Sequence, residues 1–142
     1  MAVKLDMSKT YDRVEWKFIE EVMRRMGFHE RWIGWIMRCI TTVSYSIIIN
    51  GEAHGSIVPS WELRQGDTLS SYLFLLCTEA FSALIEEANN NNALTGISIC
   101  RGSLKVTHLF FADDSLLFYK VENMECSKMV EILKQYEAAS SQ

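Results

Sequence analysis

Carboxylates are the side chains of this sequence whose types and positions best suit chemistry. The thirteen glutamates are spread as on solvated helix surfaces, whereas the five aspartates all lie at boundaries of predicted elements. Asp6 ends the apolar strand 2–5, and Asp113 and Asp114 follow the apolar segment 109–112. If these strands are neighbours, three carboxylates converge at one end of a sheet.

Such a cluster is costly without a cation. Two carboxylates about 4 Å apart repel each other by about 4 kcal/mol at an effective dielectric constant of 20. Hard oxygen ligands suit Mg²⁺, and two such ions about 4 Å apart can clamp an in-line phosphoryl displacement. No His or Cys cluster lies near these aspartates, so zinc chemistry is disfavoured. An alternative stays open, because Asp113 and Asp114 could simply be turn formers. Asp12 is better interpreted as a helix-start cap than as a ligand.

The elements that must position these aspartates follow from apolar spacing. Helical spacing predicts four helices around residues 19–26, 32–39, 73–84 and 129–136, with Gly27 ending the first and Asn123 capping the fourth. Strands are predicted at 2–5, 44–49, 56–58, 97–100 and 105–107, and Asn50-Gly51 is a typical hairpin turn. Residues 108–119 are predicted to form two strands folded back at an Asp-Asp tip. The sequence therefore predicts an α+β domain, in which a small antiparallel sheet with an Asp-Asp hairpin packs on helices.

Composition indicates one folded domain. The chain has 142 residues and a mass of 16.3 kDa, 49% of its residues are hydrophobic, and 4 Trp, 5 Tyr and 7 Phe exclude disorder. No stretch of about 18 residues is free of charge, and the start lacks signal-peptide features, so neither a membrane helix nor secretion is expected. The four cysteines are predicted to be reduced core thiols. The net charge of −4 argues against nucleic acid as a partner of this chain alone, although an acidic active-site segment without its basic neighbours would have the same charge.

Three segments resemble the catalytic motifs of reverse transcriptases from non-LTR retrotransposons, especially the plant type. Residues 4–16, KLDMSKTYDRVEW, resemble the first motif, and residues 63–74, LRQGDTLSSYLF, resemble the second. Residues 108–114, HLFFADD, resemble the third, the aromatic-Ala-Asp-Asp box. The order and spacing match as well, so the resemblance covers nearly the whole chain and identifies residues 1–142 as a polymerase palm region.

The resemblance implies an activity and its carboxylates. Asp6, Asp113 and Asp114 match the positions that form the catalytic, metal-binding set of a polymerase palm, which holds two Mg²⁺ ions or Mn²⁺ in their place. The implied reaction adds deoxynucleotides to a primer 3′-hydroxyl on an RNA template. The implied partners are RNA template, DNA primer and dNTP, without a membrane, and the implied location is intracellular, in the nucleus.

Four further positions match substrate-contacting residues of the family. Tyr11 matches an aromatic ring that blocks a ribose 2′-hydroxyl, although it could also be an ordinary core aromatic. Gln65 and Gly66 match the loop beside the template and the incoming nucleotide. Arg64 could contact phosphate or template, or pair with a nearby acid. The aromatic pairs Trp32/Trp35 and Phe110/Phe111 are predicted to be core residues, and His29, His54 and His108 are given no catalytic role.

The sequence also departs from the family. Thr68 and Ser71 stand where the second motif usually has proline, which would loosen the loop that positions the template. The family's basic fingers region and its thumb are not recognisable, so we expect the isolated chain to be inactive. The alternative function is a non-catalytic, retroelement-derived remnant that binds a metal or a protein weakly at most. An RNA-binding maturase-like role has no support, because no helix carries a predicted basic stripe.

Overall fold

A computed structural model describes residues 1–7, 14–58, 68–100, 102, 104–111 and 114–140. These residues form four helices and seven strands. The helices are α1 (Trp16–Arg25), α2 (Glu30–Thr41), α3 (Thr68–Asn90) and α4 (Asn123–Ser140). The strands are β1 (Ala2–Asp6), β2 (Tyr45–Ile49), β3 (Glu52–Ile57), β4 (Ile97–Ser98), β5 (Lys105–Val106), β6 (His108–Phe111) and β7 (Asp114–Phe118). The predicted mixture of helices and small antiparallel sheets is therefore confirmed.

The main sheet has three strands in the order β1-β7-β6, and both pairings are antiparallel. Residues 112 and 113, which include the tip of the predicted Asp-Asp hairpin, lie outside the described residues. Beyond β1, the Met1 ammonium donates to the Tyr119 carbonyl at 2.6 Å, and the Tyr119 N–H donates to the Met1 carbonyl at 3.2 Å. The pairing of β1 with β7 therefore continues one step past both strands.

A second ribbon, β2–β3, turns at Asn50 and Gly51, whose φ values are +52° and +86°. Both angles are positive, as expected for the Asn-Gly hairpin turn predicted from the sequence. Every residue of β3 is exposed, and so is β2 after Tyr45. Among the described elements, this ribbon contributes no fully buried residue to the core.

Helix α3 forms the centre of the core and packs against α1, α4 and β6. Leu73, Cys77, Phe81 and Ile85 lie about one helical turn apart and are buried almost completely. The sequence predicts no membrane helix. By length and composition alone, however, α3 is long and apolar enough to cross a membrane. Its row of buried residues, packed against the other elements, is that of the core helix of a folded domain.

The connection between α1 and α2 is fixed by a glycine turn. Gly27 has a φ of +83°, its N–H donates to the Arg24 carbonyl, and the N–H of Phe28 donates to the Met23 carbonyl, both at 3.1 Å. These bonds satisfy the last carbonyls of α1 and confirm the predicted helix stop. His29 then caps α2, because its Nδ1 accepts the Arg31 N–H at 3.2 Å.

Some predicted core residues are exposed instead. Trp32 and Trp35 are 49% and 50% exposed, because α2 buries the face that carries Ile33 and Ile40. Successive strand residues point to opposite faces of a sheet. Phe110 therefore packs against the Phe81 ring of the core, with centroids 5.6 Å apart, while Phe111 is 82% exposed. The core prediction is wrong for both tryptophans and for Phe111.

The cysteines divide in the same way. All four are free, as predicted, but only Cys77 is fully buried, and burial raises the pKa of its thiol to about 12. Cys126 is half-buried, whereas Cys39 and Cys100 are exposed, so the core-thiol prediction is wrong for these two. Cys39 is exposed because it lies on the outer face of α2.

Candidate active site

Two of the three candidate carboxylates, Asp6 and Asp114, lie side by side on neighbouring strands of the main sheet. Strand β1 ends at Asp6 and strand β7 begins at Asp114, and the antiparallel register places these two residues directly opposite each other. Cross-strand pairs of this kind have Cα atoms about 4.5–5.5 Å apart. Strand pairing alone therefore brings residues that are 108 positions apart in the sequence to one end of the main sheet, which we call its acidic or metal edge.

Alternation along the strands turns both carboxylates toward solvent. On β1, Lys4 and Asp6 are exposed, while Val3 and Leu5 pack against the core. On β7, the fully buried Leu117 holds the strand from below. The buried Ser115 hydroxyl donates to the Met7 sulfur at 3.0 Å and ties the strand to the residue that follows Asp6. The acidic edge therefore rests on a packed layer.

A cation already contacts this edge. The Lys4 ammonium lies 2.8 Å from Oδ2 of Asp114, and both side chains are well exposed. An exposed pair of this type contributes about 0–1 kcal/mol to stability, because water and salt screen it. The contact shows that Asp114 can present an oxygen to a positive charge beside Asp6. Two adjacent carboxylates with hard oxygen donors fit a divalent cation such as Mg²⁺.

The described residues alone do not complete a metal site. Within them, no group of three or more His, Cys, Asp or Glu side chains is close enough to hold an ion. Asp113, the third predicted ligand, lies outside the described residues, and so do Tyr11, Arg64, Gln65 and Gly66. The roles assigned to these five residues stay predictions.

An apolar strip borders the carboxylates on the same face of the sheet. Phe111 stands opposite Asp114 on the other side from Asp6, and Leu109 and Leu116 follow in the next row. All three are exposed, Phe111 by 82%. Sequence reasoning missed both this strip and the position of Lys4. The available signal was the period-2 alternation of the strands, which places Lys4, Asp6 and Phe111 on one face once the register is known.

His108 lies on the opposite face and has structural partners. Its Nε2 is 2.7 Å from the Ser82 hydroxyl of α3, and its Nδ1 is 2.9 Å from the Thr107 hydroxyl. Burial lowers the pKa of the imidazole, although Glu79 and Glu86 raise it in part. The Nε2 contact joins β6 to α3, whereas the Nδ1 contact is made with the preceding residue. That His108 has no catalytic role stays a prediction.

A small antiparallel sheet that presents opposed aspartates on an exposed face, backed by helices, suits metal-assisted phosphoryl transfer. Residues 1–141 match the family model described as reverse transcriptase (RNA-dependent DNA polymerase), and the chain belongs to this family. The sequence is 50% identical over 68 residues to an uncharacterized mitochondrial protein of Arabidopsis thaliana, a match that covers 48% of this chain and 56% of that protein.

Two relatives are proteins of transposable elements. An uncharacterized 149 kDa protein of transposon TX1 from Xenopus laevis is 24% identical over 98% of this chain. A retrovirus-related Pol polyprotein from the type-1 retrotransposable element R2 of Popillia japonica is 29% identical over 81% of it. These matches cover 10% and 18% of the two relatives, respectively. They support the non-LTR retrotransposon type that the three motifs predict.

Proposed function

We propose that this chain is the palm domain of an RNA-directed DNA polymerase, which adds deoxynucleotides to the 3′-hydroxyl of a DNA primer on an RNA template. The observation that carries the proposal is the register of the main sheet. It sets Asp6 opposite Asp114 in a chain of the reverse transcriptase family. Asp6 of the first sequence motif is the last residue of β1, and Asp114 of the third motif is the first residue of β7. Residues of two motifs therefore meet at the same end of the sheet.

In this proposal Asp6, Asp113 and Asp114 hold two Mg²⁺ ions. When bound, such ions lower the pKa of a primer hydroxyl and neutralise the leaving pyrophosphate. The carboxylates supply the oxygen ligands on a rigid edge, because the packed residues beneath them fix the strands. Lys4 offsets part of the repulsion between the two aspartates and would give up Asp114 to a stronger cation.

The substrate roles follow the family resemblance. Tyr11 is proposed to exclude ribonucleotides by placing a ring against the ribose 2′-hydroxyl. Gln65 and Gly66 are proposed to lie beside the template, where the glycine permits close approach and the glutamine can form hydrogen bonds. Arg64 is proposed to contact phosphate. A nuclear location stays a prediction.

Thermal unfolding with and without Mn²⁺ tests the carboxylate site. Metal at ten times its dissociation constant should stabilise the fold by about 1.4 kcal/mol and raise the midpoint by about 3–5 °C. Asp6→Asn and Asp114→Asn should each remove most of this shift, because each variant removes an oxygen charge that the ion needs. Asp113→Asn should do the same if the third motif supplies two ligands.

Glu137→Gln is the matched control, because it also removes one exposed carboxylate. Glu137 lies on α4, whereas the two aspartates lie on β1 and β7. It should leave the metal shift unchanged. A shift that survives in both Asp6→Asn and Asp114→Asn would place the ion elsewhere and refute the site. No shift in the parent chain would favour the non-catalytic remnant instead.

We also propose that the 142-residue polypeptide alone does not extend a primer. Its net charge is −4, and holding a primer–template needs many lysine and arginine contacts with phosphates. A primer-extension assay with RNA template, DNA primer, dNTPs and Mg²⁺ should give no product above background. Extension that depends on Asp114 would contradict this proposal while supporting the polymerase assignment.

A further inference from the structure

The outer face of α2 carries two tryptophans between two arginines. We define the Trp–Arg face as Arg31, Trp32, Trp35 and Arg38. All four are exposed, and their spacing of three and four residues places them on one side of the helix. Ile33 and Ile40 lie on the opposite side and are buried. The Trp–Arg face is therefore the side that α2 turns away from the core.

The two indoles contact each other and an arginine at the surface. Trp32 and Trp35 are about half exposed, and their rings meet edge to face with centroids 6.0 Å apart. The Arg31 guanidinium lies over the Trp35 ring at 5.1 Å from its centroid. Cation–π and edge-to-face contacts hold these rings in place while leaving much of their surface in water.

The face is positive on an acidic protein. The one acid of α2, Glu30, is held by Arg24 of α1 through a contact of 2.9 Å. Within the described part of the chain, no carboxylate forms an ion pair with Arg31 or Arg38. The Trp–Arg face thus combines aromatic surface with two exposed arginines, which suits an anion that carries flat rings.

We propose that the Trp–Arg face binds single-stranded RNA, with bases against Trp32 and Trp35 and phosphates on Arg31 and Arg38. Identifying the ligand as RNA rests on the proposed polymerase function. From residue 31 to residue 38 the helix rises about 10 Å, close to the length of about three stacked nucleotides. Guanidinium groups pair with phosphate through two parallel hydrogen bonds, and aromatic side chains stack on bases of any sequence. The order Arg-Trp-Trp-Arg along the helix provides both.

Fluorescence anisotropy of a labelled single-stranded oligouridylate at low salt tests this binding. Trp32→Ala and Trp35→Ala should each weaken binding about tenfold, the typical loss when one stacked base loses its platform. With two phosphates neutralised, the logarithm of the binding constant should fall with the logarithm of salt concentration at a slope of about −1.4. The double variant Arg31→Gln/Arg38→Gln should bring that slope close to zero.

Two control variants separate the face from general charge and from folding. Lys17→Gln/Lys134→Gln removes the same net charge from exposed positions on α1 and α4 and should bind like the parent. Trp35→Phe keeps an aromatic ring and should retain most of the affinity. The proposal is overturned if the parent chain does not bind at low salt. It is also overturned if the lysine variant loses as much affinity as the arginine variant, or if both alanine variants bind like the parent.

The inference can fail separately from the polymerase function. A chelator should leave binding of the oligouridylate unchanged, because α2 makes no use of the metal edge. Binding that disappears with the chelator would overturn the Trp–Arg face as the RNA site. Polyglutamate that binds this face as tightly as RNA would also overturn the proposal, because it would assign the face to an acidic protein segment.

Discussion

Gly96 occupies a position that has no room for a side chain. A Cβ built on Gly96 would lie 2.6 Å from the Val106 carbonyl oxygen and 2.9 Å from its carbonyl carbon. These are backbone atoms, which cannot rotate away as a flexible side chain can. Val106 belongs to β5 and pairs with Ile97, the residue after Gly96. Any larger residue at position 96 must therefore push the start of β4 away from β5.

Gly96→Ala should lower the free energy of unfolding by about 1–3 kcal/mol, as overpacking of a filled site usually does. Urea denaturation would measure the loss. Gly34→Ala is the matched control, because Gly34 lies inside α2 and a Cβ there meets nothing within 4 Å. It should stabilise the protein by about 0.5–1 kcal/mol through helix propensity. Equal effects of the two substitutions would contradict the steric explanation.

At the scale of elements, His108 joins the main sheet to the core helix. Its ring bonds to Ser82 of α3 on one side and to Thr107 on the other, and Phe110 two residues later stacks on Phe81 of the same helix. One strand therefore reaches α3 through a polar contact and an aromatic contact. Because the imidazole is half-buried, the neutral form is favoured in the folded state, which links the packing of β6 against α3 to pH.

Stability should fall as the pH is lowered below about 6.5, the ordinary histidine pKa. Burial lowers the pKa of His108 in the folded protein, so the unfolded chain binds the proton more tightly in this range. The contribution is complete above the unfolded pKa and is lost as the pH falls toward the folded one. Urea midpoints measured from pH 7.5 to 5 should show this loss.

His108→Gln keeps hydrogen-bonding groups and should flatten the pH dependence in that range. His54→Gln is the control, because His54 lies on the exposed strand β3. An unchanged slope in the His108 variant would assign the effect to other groups.

Glu125 is a separate case. Burial alone would raise the pKa of its carboxyl, but hydrogen bonds from Lys120 and Thr95 lower it, so its contribution is lost only at more acidic pH.

For the whole molecule, the local patterns were the predictable part. Gly27 and the Asn50-Gly51 turn need positive φ angles, which few residue types adopt, so their positions could be predicted. The helices followed from apolar spacing, although α3 extends several residues beyond both predicted ends. The approach of Asp6 to Asp114 could be predicted as a hypothesis, because Asp6 follows an apolar strand and Asp114 lies between two apolar segments.

What failed was the assignment of faces. Trp32 and Trp35 share helical spacing with Ile36 and Cys39, so the sequence shows a stripe without showing which side of α2 meets α1. Phe110 and Phe111 are adjacent and chemically equal, and only the register with β7 decides which of them is buried. The contact of Lys4 with Asp114 could not be predicted either, because it depends on the register between β1 and β7. Tertiary packing, which the local pattern does not contain, selects the face in each case.

The step of pairing between Met1 and Tyr119 bears on how the protein is fused to other sequences. A residue joined before Met1 would replace its ammonium with an amide N–H, which can donate the same hydrogen bond to the Tyr119 carbonyl. If the antiparallel pairing continued, the residue before Met1 would lie opposite Lys120. A bulky residue at that position would lie against Lys120, so a short glycine-serine spacer suits a fusion at this point.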